Sequence, residues 1–269
     1  MEAKHLVCSV AVEDIPSVRA FFEAFGGWRL RDFEVDGAPA AWLQVGAGIV
    51  ELIERRHGML FYPPLAVRLI VDDPAEWRAR LEERGHALPE DGADLQLAAP
   101  AGPTLTIARA TRGVDDAPLV VPHDPAGPNV LHFQTTWWSK RWQDDYDFLT
   151  EGGLGLATSR GRAEPEGGRI CFLRAAYEGK AIVEVVDGLY DDYAGPGLHW
   201  LISIVVDDAA AFQERMAAAG QPVSGVGLTP WGVPSFTGKT EHGPLLFVYQ
   251  EREGGTPGMV GEPAGLAGM

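Results

Sequence analysis

The sequence predicts an α+β protein built from four βαβββ units in two pairs, and three observations predict it. Strand-like alternation gives way to one amphipathic helix and then to more strand-like runs, and that string restarts three times along the 269 residues. The distance from the end of each opening strand to the glycine that ends its helix is constant. Val12 to Gly26, Val71 to Gly85, Ser139 to Gly153 and Val206 to Gly220 each span 14 positions. Matching residues of the two halves sit at an offset that only grows. It is 127 for His5 on His132 and Phe21 on Phe148, 133 for Glu51 on Glu184, 135 for Trp77 on Phe212 and 141 for Gly102-Pro103 on Gly243-Pro244. A few loop insertions in the second half account for that drift.

In the first unit, residues 5–12 alternate as a strand, and Glu13-Asp14-Ile15-Pro16 opens a helix with acidic residues and a proline at its start. Val18, Phe21, Phe22 and Phe25 form its apolar stripe, and Gly26-Gly27 stops it. Trp28–Phe33, Ala40–Val45 and Gly48–Ile53 read as three short strands between Gly- or Asp-containing turns. The second unit has a strand at Ala66–Val71, then a helix opened by Asp73-Pro74 with Trp77 and Leu81 on its stripe. Strands follow at Leu95–Ala98 and Thr104–Ala108, with a weaker one near Ala87-Leu88.

Arg112–Pro128, rich in Asp, Pro and Gly, reads as a linker, which divides the chain into modules at 1–111 and 129–252. The third unit predicts a helix over Lys140–Leu149 and strands near Ala157–Arg162, Arg169–Ala175 and Lys180–Val186. The fourth predicts a strand over His199–Val206, a helix over Asp207–Ala218, and strands at Ser235–Gly238 and Leu245–Gln250. Residues 253–269, Gly/Pro-rich without periodicity, are expected to be disordered.

Composition narrows the function classes. Lys+Arg 22 against Asp+Glu 38 gives a net charge of −16, which repels phosphate backbones and anionic lipid, so neither nucleic acid nor membrane is expected as a partner. The start, Met-Glu-Ala-Lys-His, lacks the basic and apolar regions of a signal peptide, and a cytoplasmic monomer or homodimer is expected. Cys8 and Cys171 lie in separate candidate strands and are read as buried thiols. No G-x-S-x-G elbow, Cys/His pair or phosphate-cradling loop is present.

The stretch Asn129–Trp138 draws attention because its two faces disagree. Leu131, Phe133 and Trp137 point one way, His132, Gln134, Thr136 and Trp138 the other. A face carrying imidazole, amide, hydroxyl and indole is suited to line a ligand cavity. Tyr190, Tyr193 and Trp231 fall in loops that read as candidate lids over it.

The segments HLVCSVAVEDIPSVRAFF, GIVELIE and LAVRLIVDDPAEWRARLEERG in the first half resemble the vicinal oxygen chelate superfamily of glyoxalases, bleomycin-resistance-type proteins and extradiol dioxygenases. So do LHFQTTWWSKRWQDDYDFL, AIVEVVDG, HWLISIVVDDAAAFQERMAAAG and EHGPLLFVYQ in the second. The resemblance implies that each pair of units curls into a half-open barrel. It also implies metal ligands of a set pattern: His on the first strand, Glu on the fourth, His or Gln on the fifth, and Glu on the eighth. Carried over, these are His132, Glu184 and His199, with His132 and Glu184 expected side by side and His199 two residues before the aligned position, Leu201.

Phe247 stands where the eighth-strand Glu belongs, and Tyr249 on the same face is a candidate acid/base. The first module keeps His5 and Glu51 but has Ala66 and Thr106 at the other positions, so its site is expected to be degenerate. The expected function is a metal-dependent enzyme (Fe, Zn, Mn or Ni) acting on a small oxygenated substrate, aromatic or not, in the second module, with Gln134, Thr136, Trp138, Phe247 and Trp231 as substrate contacts. Two alternatives stand beside it: a metal-free protein that sequesters a planar ligand, and a catalyst working through pocket polar groups alone. On either, Glu184 is satisfied by hydrogen bonding, with His132 as the expected partner.

Overall fold

The computed structural model describes residues 3–55, 66–86, 88, 94–110, 125, 127–150, 153–163, 169–187, 202–229, 232–239 and 243–251. The expected linker lies mostly, and the expected disordered tail and the lid residues Tyr190, Tyr193 and Trp231 entirely, outside them.

The predicted order of elements is observed. The first half runs β1 (His5–Val12), α1 (Ile15–Ala24), β2 (Trp28–Val35), β3 (Ala38–Val45), β4 (Gly48–Glu54), β5 (Ala66–Val71), α2 (Pro74–Glu83), β6 (Leu95–Leu97) and β7 (Thr104–Arg109). The second half runs β8 (Val130–Ser139), α3 (Trp142–Leu149), β9 (Ala157–Ala163), β10 (Arg169–Ala176), β11 (Ala181–Asp187), β12 (Ile202–Val206), α4 (Ala209–Ala218), β13 (Gly227–Leu228), β14 (Pro234–Lys239) and β15 (Leu245–Gln250).

Helix starts follow local chemistry. Asp73 and Asp208 accept hydrogen bonds from the backbone N–H groups of Ala75 and Ala211 at 3.0 and 2.9 Å, capping α2 and α4. Helix α3 begins at Trp142 rather than Lys140, because β8 continues to Ser139, whose hydroxyl accepts from the Arg141 N–H at 3.0 Å. Pro234 does not break the last hairpin. It is the first residue of β14, opposite Leu228, where its missing N–H is tolerated.

Strands β1–β7 form one mixed sheet in the order β2-β3-β4-β1-β5-β7-β6, and β8–β15 form another in the order β13-β14-β15-β12-β8-β11-β10-β9. Each is two units joined antiparallel by their opening strands, β1 with β5 and β8 with β12, while the last strand of each unit runs parallel to its first. Neither sheet closes on itself among the described strands, so each is a half-open barrel.

The two sheets share one core. Leu6, Cys8 and Val10 of β1 and Phe133 and Trp137 of β8 belong to it, with stripes from all four helices. Phe25 stacks on Phe212 with centroids 5.0 Å apart, and Arg215 donates to the Phe25 carbonyl at 2.9 Å, tying the halves together. Two glycines permit the closest approaches: a Cβ at Gly48 would enter the Phe133 ring, and one at Gly102 the Trp137 indole. The alternate residues of each sheet face away from this core and form its concave side.

Candidate functional site

The concave side of the second sheet gathers buried polar groups that the alternation of β8 and β12 delivers to one place. Register sets Thr136 opposite Glu184, Gln134 opposite Ser203, and Ser203 opposite Phe247. Gln134, Thr136 and Ser203 are fully buried and Glu184 is 3% exposed. The Thr136 and Ser203 hydroxyls donate to Glu184 Oε2 at 2.8 and 2.9 Å. A carboxylate this deep demands such donors, because leaving it without them costs its lost hydration. Both hydroxyls act on one oxygen, fixing the plane of the carboxyl group.

Beside this trio, the Tyr249 hydroxyl donates to Gln134 Oε1 at 3.1 Å, which turns the amide so that Nε2 is the remaining donor. That Nε2 is buried with no hydrogen-bond partner among the described residues. Apolar walls flank the polar strip: Trp138, Ile170, Phe172, Ile182 and Val186 on one side, and Val205, Val233, Tyr249 and Phe247 on the other. The Phe247 and Tyr249 rings lie 5.6 Å apart. Donor, acceptor and aromatic surfaces together suit a planar molecule carrying oxygen substituents.

Register also corrects the expected pairing of His132 with Glu184. Their strands are neighbours and both residues are on the concave side, but Glu184 is opposite Thr136, four residues beyond His132. That is about 13 Å along the strand. His132 instead stands opposite Val205 near the strand end, half-buried, with Nε2 3.5 Å from Glu251 Oε1. The same holds in the first sheet, where Glu51 is opposite Ser9 and not His5. The recurrent His and Glu are therefore not a pair; the recurrent pair is a hydroxyl and a Glu. His199 and Trp231 lie outside the described residues.

Sequence reading passed over Ser203, Ser9 and Phe172. The signal for Ser203 was present: within Ile202–Val206 it is the single polar residue, and period 2 assigns it to the face opposite Ile202 and Ile204. Its partner could not be read from the strand alone, since register decides it. Both cysteines are buried in the core, as expected. Burial pushes the Cys8 thiol up from about 9 to about 12, and burial likewise raises Cys171 well above its ordinary value.

A divalent ion needs three or four converging donors at about 2 Å. Among the described residues no three His, Cys, Asp or Glu side chains come together in that way. At Glu184 the Thr136 and Ser203 hydroxyls donate to Oε2, and His199, the third expected ligand, lies outside the described residues. No helix among the described residues is long and apolar enough to cross a membrane.

No protein-family profile matches the chain, and no curated protein sequence matches it significantly. Solved structures do resemble it. The 2,3-dioxygenase LapB from Pseudomonas sp. KL28 superposes with a TM-score of 0.61 at 13% identity, over 93% of this chain and 91% of that one. The Mn(II)-bound glyoxalase from Novosphingobium aromaticivorans gives 0.59 at 17%, over 93% and 82%. The 2,2',3-trihydroxybiphenyl 1,2-dioxygenase from Sphingomonas wittichii strain RW1 gives 0.58 at 14%, over 98% and 93%. At these identities the likeness is one of fold.

Proposed function

Taking a chain that has the two-module fold of the vicinal oxygen chelate superfamily, we propose that it binds a small oxygenated aromatic molecule on the concave side of its second module. The observation that carries this is the polar strip Gln134–Thr136–Glu184–Ser203, buried between aromatic walls. Glu184 accepts a ligand hydroxyl, Gln134 Nε2 donates to a second oxygen, and Trp138, Phe172 and Phe247 cover the ring. Tyr249 positions Gln134 through its 3.1 Å hydrogen bond and is not needed as an acid/base. This is binding through pocket groups, the metal-free alternative of the sequence reading.

The dioxygenases and the Mn(II)-bound glyoxalase that share the fold favour a second reading, a metal-dependent enzyme with His132, Glu184 and His199 as ligands. The register of β8 and β11 weighs against it, because two of those three residues are four positions apart. Metal content separates the readings. Protein purified without chelator is compared with His132→Ala and Glu184→Gln. Transition metal near one per chain, lost in both variants, supports the metal reading; absence of stoichiometric metal supports the pocket reading.

A further inference from the structure

On the concave side of the second sheet, three cross-strand rows run from the polar strip toward the β9–β10 edge, and each ends at an arginine. Thr136 stands opposite Glu184, Glu184 opposite Phe172, and Phe172 opposite Arg160. One pleat to one side, Trp138, Val186, Ile170 and Arg162 make the same run. One pleat to the other, Gln134, Ile182 and Arg174 do so. Directly opposite residues share a face, so all three arginine positions belong to the face that carries Glu184 and Gln134.

This edge is basic in a chain where Asp+Glu 38 outnumber Lys+Arg 22. Neither β9 (ATSRGRA) nor β10 (RICFLRAA) contains an acidic residue to offset it. Arg174 is exposed and makes no hydrogen bond or ion pair among the described residues, its stem lying against Gly179 in the β10–β11 turn. A net charge of −16 repels anions in general, so recognition of one has to come from such a local cluster. At the backbone, Arg160 is two strand spacings, about 10 Å, from Glu184, with Phe172 between them. That spacing seats one aromatic ring over Phe172, between a short acceptor side chain at one end and a long cationic one at the other. A guanidinium fork matches a carboxylate in shape and charge.

We propose that the ligand of the second-module site is an anion: a hydroxylated aromatic carboxylate whose hydroxyls meet Glu184 and Gln134 and whose carboxylate meets the arginine edge of β9 and β10. This rests on the pocket reading above and adds the ligand's charge to it. Calorimetric titration of the full chain with 3,4-dihydroxybenzoate tests it, with neutral 3,4-dihydroxybenzamide as the matched probe. The acid is expected to bind about tenfold tighter or more, and added salt to shrink the difference. In the double variant Arg160→Gln, Arg174→Gln the preference for the acid is expected to fall to about twofold or less. Arg141→Gln, an exposed arginine paired with Asp144 elsewhere, keeps the full preference, and Glu184→Gln weakens both probes. Equal binding of acid and amide to the wild type overturns the proposal and leaves the pocket reading standing. Absence of saturable binding of either probe overturns both, and an undiminished preference in the double variant overturns the role of the arginine edge and with it the proposal.

Discussion

Thr136 stands directly opposite Glu184 and donates to its Oε2 at 2.8 Å, and Ser9 stands in the same relation to Glu51 in the first sheet. The fold thus repeats a buried hydroxyl–carboxylate pair where its first and fourth strands run side by side. Around that repeated pair the two modules diverge, with Ser203 beside one carboxylate and Arg68 beside the other.

Removing either hydroxyl donor is expected to lower stability. Thr136→Val keeps the shape but takes one of two donors from a buried carboxylate, at a cost of about 1–3 kcal/mol. Urea unfolding should show a lower midpoint with an unchanged slope. An unchanged midpoint means the bond contributes nothing.

The glycines at the module junction are expected to be intolerant. Gly48→Ala and Gly102→Ala place a methyl group inside the Phe133 and Trp137 rings, and overpacking of this kind costs about 1–3 kcal/mol. Gly225→Ala, with open space around its Cβ, should be nearly neutral, and thermal melts of the three variants give the comparison.

Stability is expected to fall in alkali. Each thiol is held protonated in the folded chain above its ordinary value near 9, Cys8 up to about 12, while the unfolded chain ionises first. Its contribution is intact below pH 9 and is lost as pH rises through the folded value, at up to about 1.4 kcal/mol per pH unit for each thiol. Melting temperature followed from pH 8 to 11 should decline more steeply in the wild type than in Cys8→Ala.

The fold was legible because it repeats. Four strand-to-glycine spacings of 14 residues and a monotonic offset between halves located every long element, and the structure departs from them mainly at boundaries such as Trp142 and Pro234. The concave face was legible too: Gln134, Thr136, Trp138, Phe247 and Tyr249 all lie on it, as period 2 requires. What alternation cannot supply is register. It placed His132 and Glu184 on one face but could not tell that four residues separate them, and it could not show that Ser203, from a different strand, completes the trio.

The most direct measurement is a titration of catechol, a small oxygenated aromatic probe, followed by tryptophan fluorescence in the presence of a chelator. Saturable binding should survive chelation and the His132→Ala substitution, and weaken about tenfold or more in Glu184→Gln, which exchanges a charged acceptor for a neutral one. Binding that disappears with the chelator or in His132→Ala, yet persists in Glu184→Gln, would contradict a pocket centred on Glu184.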